Sequence, residues 1–217
     1  MKRLRLILAW MCVAVCGFRP PAFGAAPVVT LKAGASLSTM RGNTAFVDPG
    51  WLFGPRGTVA VEWSLAPQFG VAPELGYATR GFLWGESQGT DAVGNSTGRF
   101  KSFETTRDLT LAVPFRWAAL SGGRIHAGLL GGPDLSLEHH ETFDNRGAQK
   151  SSDSNDVFSG QDIGLLLGLW ADVRSGPRRL GLEARYIHGL LQMWNRPGLV
   201  EYHSSVVEIL ATLRFAR

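Results

Sequence analysis

The stretch RIHAGLLGGPDLSLE, Arg124 to Glu138, interleaves two sets of side chains. Ile125, Ala127, Leu129, Gly131, Pro133, Leu135 and Leu137 carry no charge. Arg124, His126, Gly128, Leu130, Gly132, Asp134, Ser136 and Glu138 are mostly polar or glycine. Successive side chains of a strand point to opposite faces, so this segment is expected as one strand with a greasy and a wet face. It is far longer than the roughly five to six residues usual in globular strands. A tilted strand that crosses a bilayer and projects beyond it needs that length.

The same alternation recurs along the chain and predicts eight strands. They lie near Val28–Ser38, Phe53–Leu65, Phe69–Trp84, Arg107–Ala118, Arg124–Glu138, Phe158–Arg174, Arg179–Gln192 and Ser205–Phe215. Tight turns at Ala66-Pro67, Ser121-Gly122-Gly123 and Ser175-Gly176-Pro177 alternate with polar links at Thr39–Leu52, Gly85–Thr106, His139–Val157 and Asn195–Ser204. Short periplasmic turns and long outer loops are the pattern of bacterial barrels, and an even strand count places both termini in the periplasm. Trp63, Phe69, Trp117 and Phe215 fall at the short-turn ends. Trp51, Phe53, Trp84, Phe158, Trp194 and Tyr202 fall near the long-loop ends. Two aromatic belts suit two membrane interfaces. The expected fold is all-β, an eight-stranded antiparallel up-and-down transmembrane β-barrel.

Residues 1–24 read as a cleaved signal peptide and residues 25–217 as the barrel domain. Lys2, Arg3 and Arg5 form a basic start, and Leu4 to Val15 an apolar run too short to span a membrane as a helix. Ala22-Phe23-Gly24 favours cleavage before Ala25; cleavage after Ala26 is the near alternative. Val15 is too bulky for a good lipoprotein site at Cys16. The whole chain has 22 Lys+Arg and 18 Asp+Glu; losing Lys2, Arg3, Arg5 and Arg19 leaves 18 of each sign. The basic balance therefore gives no argument for nucleic acid. Cys12 and Cys16 leave too, and with them any disulfide or cysteine metal site.

A soluble barrel would also alternate, with its faces reversed. Here the polar set is glycine-rich and carries both charge signs, as suits a narrow ion-paired interior, and the apolar set ends in tryptophans. An eight-stranded barrel is just wide enough for side chains to fill it. Lys32, Glu62, Glu74, Arg80, Arg116, Glu183, Arg185, Glu208 and Arg214 are the expected filling, paired because unpaired buried charge is costly.

Five pieces occur in an order that resembles the PorT-like outer-membrane β-barrel proteins of Bacteroidetes-type bacteria. They are LKAGASLST at Leu31–Thr39, ELGYATRGF at Glu74–Phe82, LTLAVPFRW at Leu109–Trp117, GLLGGPDLSL at Gly128–Leu137 and ARYIHGLLQM at Ala184–Met193. Arg80 stands where that family usually has Lys. Pro114 and Pro133 match its pattern, and the ending Phe215-Ala216-Arg217 departs from a terminal aromatic. The resemblance implies a Gram-negative cell-envelope barrel, in some members a secretion-system accessory, with no catalytic residues to transfer.

Several motifs were weighed as sites. His203-Ser204-Ser205 puts a histidine and a serine on one face, as a PagL-like lipid A deacylase would need. Glu208 has the opposite parity, however, and Glu201 lies in the loop. His139-His140-Glu141 with Asp144, and Asp153 with Asp156, are better read as solvated loop. Adjacent strand histidines point apart, and no EF-hand spacing is present. Asn95-Ser96-Thr97 has no meaning for a bacterial address. The chain is therefore read as a non-enzyme with no catalytic, cofactor-binding or metal residues. The expected partners are outer-membrane lipid and lipopolysaccharide, the barrel-assembly machinery, and surface or secretion-system proteins. The alternatives are a lipid-modifying enzyme and a narrow channel.

Overall fold

A computed structural model describes residues 26–42, 50–90, 96–146, 161–190 and 202–215. The expected signal peptide and Asp153, Asp156, Phe158 and Trp194 lie outside the described residues, as does Glu201. Ten strands form one sheet: β1 (Val28–Gly42), β2 (Gly50–Ala66), β3 (Phe69–Val71), β4 (Glu74–Thr90), β5 (Ser96–Ala112), β6 (Phe115–Leu120), β7 (Ile125–Arg146), β8 (Gln161–Ser175), β9 (Arg178–Gly189) and β10 (Tyr202–Phe215). β3 and β4 are two parts of one wall, and so are β5 and β6. Eight antiparallel walls thus follow one another in chain order, and β1 pairs with both β2 and β10 to close the ring. Closure leaves no edge strand, which is what hydrocarbon demands of a sheet.

The two interruptions have one cause. Pro73 and Pro114 cannot donate to a ladder, so each breaks its wall into two segments. Their carbonyls still accept. Val61 N donates to Pro73 O at 3.1 Å, Ala72 N to Pro114 O at 3.0 Å, and Val113 N to Pro133 O at 3.0 Å. A slanting line of three prolines on neighbouring walls is thereby stitched across, and the barrel stays closed.

The alternation read from the sequence sorts the side chains as expected, with polar residues inside. Leu31, Leu37, Val59, Leu75, Leu109, Leu129, Leu167, Leu169, Leu182 and Ile209 are exposed on the outer surface. Thr30, Lys32, Thr58, Glu74, Thr110, Asp134, Glu183 and Glu208 are buried inside. Phe69, Trp117 and Phe215 ring the short-turn end, and Trp51 and Phe53 the other. Leu135 and Val71 depart from the pattern: they share the outer parity yet are buried. The interior also holds more apolar volume than expected. Leu130, Leu166, Trp170, Ile187 and Val206 pack together with Ala112.

Strand lengths correct the expectation most. The link expected at Gly85–Thr106 is mostly ladder, because β4 and β5 pair from Glu74↔Ala112 out to Thr90↔Ser96. β7 likewise runs on to Arg146, so the backbone of His139–Asp144 lies in a strand paired with β5 rather than in a loop. Beyond the apolar band both faces of a strand meet water. Hydrophobic alternation then lapses, while backbone groups still gain from pairing.

The outer face generates a direct test. Leu169 is well exposed on β8, beside Leu129 of β7 and Ala184 of β9. Leu169→Arg is expected to lower folding stability in lipid by about 2–4 kcal/mol, the cost of an arginine near the bilayer midplane, and Leu169→Ala by much less. Equilibrium unfolding in vesicles measures both; equal stability would mean that this face does not meet lipid.

Candidate functional site

The most chemically loaded place among the described residues is the barrel interior. Inward positions are brought close by the narrow ring, so closely that some tolerate only glycine. A Cβ added at Gly76 would come within 2.7 and 2.8 Å of the Thr58 and Thr110 hydroxyls, its inward neighbours on the flanking walls. One at Gly181 would meet the Asp172 Cβ and the Thr212 hydroxyl at 2.8 Å.

Two charge layers fill the middle. In the first, Lys32 of β1 bridges Glu74 of β4 and Glu183 of β9, lying 3.0 Å from the latter. Arg185 grips Glu74 with two parallel bonds of 2.8 Å and donates through Nε to Glu183 at 3.0 Å. Arg116 of β6 donates to the other Glu183 oxygen at 2.6 Å. Bidentate guanidinium–carboxylate pairing of this kind is both strong and geometrically demanding. In the second layer Glu208 of β10 lies 2.8 Å from Arg56 and 3.6 Å from Arg80. Arg80 also reaches Asp134 at 3.5 Å and Asp108 at 3.9 Å, and Ser136 donates to Asp108 at 2.9 Å.

Toward the short turns the network grades into an aromatic floor. Trp170 is held between two guanidiniums, Arg116 at 4.2 Å and Arg214 at 5.0 Å from its ring centre, and its Nε1 donates to Leu129 O at 3.1 Å. Arg214 donates to Asp172 at 2.6 Å. Beyond lies a cavity of about 300 Å³ lined by Glu62, His126, Arg179 and the two Trp170 partners. At the long-loop end a smaller one of about 40 Å³ is lined by Ser38, Arg80, Glu104 and Asp162. The ion-paired layers stand between them.

All nine charges expected inside are found there. Arg56, Glu104 and Asp108 join them unannounced. Arg56 falls within the expected strand Phe53–Leu65 and shares the parity of Thr58 and Glu62. Glu104 fell in a stretch read as loop, and Asp108 shares the parity of Thr110.

The weighed catalytic residues do not converge. His203 and Ser205 share the outer face, while Glu208 points inward to Arg56. Ser205 is fully enclosed and lies 3.3 Å from the Tyr186 hydroxyl. Among the described residues no group of three or more His, Cys, Asp or Glu side chains is placed to hold a metal. The side chains of His139, His140, Glu141 and Asp144 are outside the described set. So is Asn95; Ser96 and Thr97 begin β5.

A family model described as outer membrane protein beta-barrel domain matches residues 27–195. It is coarser than the PorT-like resemblance. No curated protein matches. Among solved structures, Neisserial surface protein A is 16% identical, with 89% of this chain and 99% of that one covered and a TM-score of 0.47. The outer membrane protease OmpT from Escherichia coli is 11% identical, with 92% and 99% covered and a TM-score of 0.45. Ail, the attachment invasion locus protein of Yersinia pestis, solved with the heparin analogue sucrose octasulfate, is 14% identical, with 87% and 99% covered and a TM-score of 0.43. Likeness this distant carries no information on ligand or activity.

The first charge layer sets a stability test. Glu74→Gln removes one carboxylate shared by Lys32 and Arg185, and breaking a buried pair from one side costs about 3–5 kcal/mol. The double change Glu74→Leu with Lys32→Met is expected to recover part of that loss, because Lys32 no longer loses a partner and Arg185 keeps Glu183. Unfolding in lipid measures both; a Glu74→Gln barrel as stable as the parent would show that the layer contributes nothing.

Proposed function

Because the chain belongs to the outer membrane protein β-barrel family, we propose that it is a small non-porin barrel of the outer membrane whose role is structural or binding. In this reading the wall is a scaffold, both termini are periplasmic, and the long connections stand outside the cell for recognition, envelope assembly or a secretion accessory task. One observation carries it: the interior is filled by two layers of paired charge, with Glu183 and Glu208 almost wholly buried. Among the described residues, a lumen occupied this way offers no free path through its middle, so chemistry with partners falls to the ends. Binding residues concentrate on connections held by a rigid scaffold.

The outer ends of β4–β5 and β7 fit such presentation. The β4–β5 hairpin continues past the apolar band to Thr90↔Ser96, and β7 runs beside it to Arg146. Folding does not require that length, since hairpin connections are commonly 2–5 residues.

The registers set where to cut, at the cost of the β7 partners of residues 103–107. Leu83 faces Phe103, and Leu137 faces Gln161. Replacing residues 84–102 and 138–160 each by an Asn-Gly turn keeps both pairings at a two-residue hairpin. The trimmed protein is expected to fold as a heat-modifiable barrel and to fail in complementing the phenotype of a gene deletion. Full complementation would move the function to the wall, the remaining connections or the periplasmic face.

A further inference from the structure

One part of the outer wall breaks the lipid-facing pattern. On β9, β10 and β1 the outward residues are apolar through Leu180 and Leu182, Ile209, and Leu31 and Leu37. Beyond Ala184 and Val207, the outward positions toward the long-loop end are Tyr186 and His188, Ser205 and His203, and Thr39 and Arg41, of which Thr39 and Ser205 are buried. The register brings these six together, because Thr39 faces Ser205, Ser205 faces His188, and Arg41 faces His203. The His188 and His203 ring centres lie 6.1 Å apart, and Tyr186 stacks 6.4 Å from His188. The Tyr186 hydroxyl and Ser205 Oγ, 3.3 Å apart, order the base of the group. Apolar walls flank it: Leu165 of β8 opposite His188, and Phe53 of β2 opposite Leu37.

Such a cluster at the end of an apolar band sits where lipid tails give way to headgroups. Its chemistry is donor-rich. Arg41 is exposed, and a guanidinium presents a fork matched to phosphate oxygens. His203 Nδ1 is buried with no protein partner. Among the described residues, no carboxylate shares this outer face on β8, β9, β10, β1 or β2 at these positions. The carboxylate at this level, Asp162, points inward and accepts from Ser204. Arg41 beside His203 opposes a bound metal cation and favours an anion, and the enclosure of Ser205 keeps it from acting as a nucleophile.

We infer that Arg41, His188 and His203 form a binding site on the outer wall for the phosphate of a membrane lipid headgroup. The inference rests on the barrel reading above and adds a specific ligand chemistry to it. The phosphate has two sources, lipid A and glycerophospholipid, and the test separates them.

The folded full mature protein, purified without lipopolysaccharide, is titrated in native mass spectrometry with bisphosphorylated lipid A, dephosphorylated lipid A and phosphatidylglycerol. The double variant Arg41→Ala with His203→Gln is compared with Arg107→Ala, an exposed arginine on β5 at the opposite side of the ring. The double variant is expected to bind bisphosphorylated lipid A about tenfold more weakly, as loss of a charge-assisted hydrogen bond implies. Arg107→Ala should match the parent, and dephosphorylated lipid A should not distinguish the three proteins. If only phosphatidylglycerol shows the drop, the phosphate site stands and its source is the glycerophospholipid. Equal binding of every lipid by parent and double variant overturns the site. Heat-modifiable mobility is recorded for each preparation; a parent that lacks it overturns the barrel reading itself, which separates the two failures.

Discussion

An eight-walled ring in hydrocarbon must satisfy every backbone group within itself, and the ring that does so is too narrow to stay empty. Most of what is particular to this chain follows from that. The outward positions are free to be apolar and loosely packed, because lipid fills around them. The inward ones must fit a confined space, so they alternate between glycine and long charged side chains that cross it. Charges placed there have no water to fall back on, and the central carboxylates share several partners. Glu183 meets Lys32, Arg185 and Arg116, and Glu74 meets Lys32 and Arg185. The same confinement explains the proline line. Pro73, Pro114 and Pro133 can sit in the wall because each still offers its carbonyl to the neighbouring strand.

The period of two made much of this legible before any coordinates. It sorted Leu111 from Thr110 and Leu169 from Gly168, and it placed nine charges inside. What it left out has physical reasons. Hydrophobic alternation reports only the part of a strand that touches lipid, so Ser87↔Phe100 and Thr106↔Glu141 looked like loop although they are ladder. The inward Leu130, Leu166 and Ile187 were invisible as core because an apolar residue on a wet face carries no signal of its own. The outer polar cluster was half visible. Parity joined His203 to Ser205, but only cross-strand register could add His188 and Arg41.

The energetic picture divides the molecule into a rigid middle and two polar ends. The layers around Lys32 and Glu208 tie seven of the eight walls together through side chains, from β1, β2, β4, β6, β7, β9 and β10. Below them, Trp170 between Arg116 and Arg214 floors a polar chamber open at the short-turn end. Above them, long paired strands carry polar sequence away from the apolar band. A stiff plug with extended ends is what a presenting scaffold requires, and it is the opposite of what a pore requires.

On the proposed reading, the lumen is closed by its own ion pairs. Single-channel recording of the folded, porin-free protein in planar bilayers addresses it most directly. A quiet membrane is expected, with no steady conductance steps over a broad voltage range. Reproducible large steps that persist after repurification would contradict it and would make the paired charges the lining of a path.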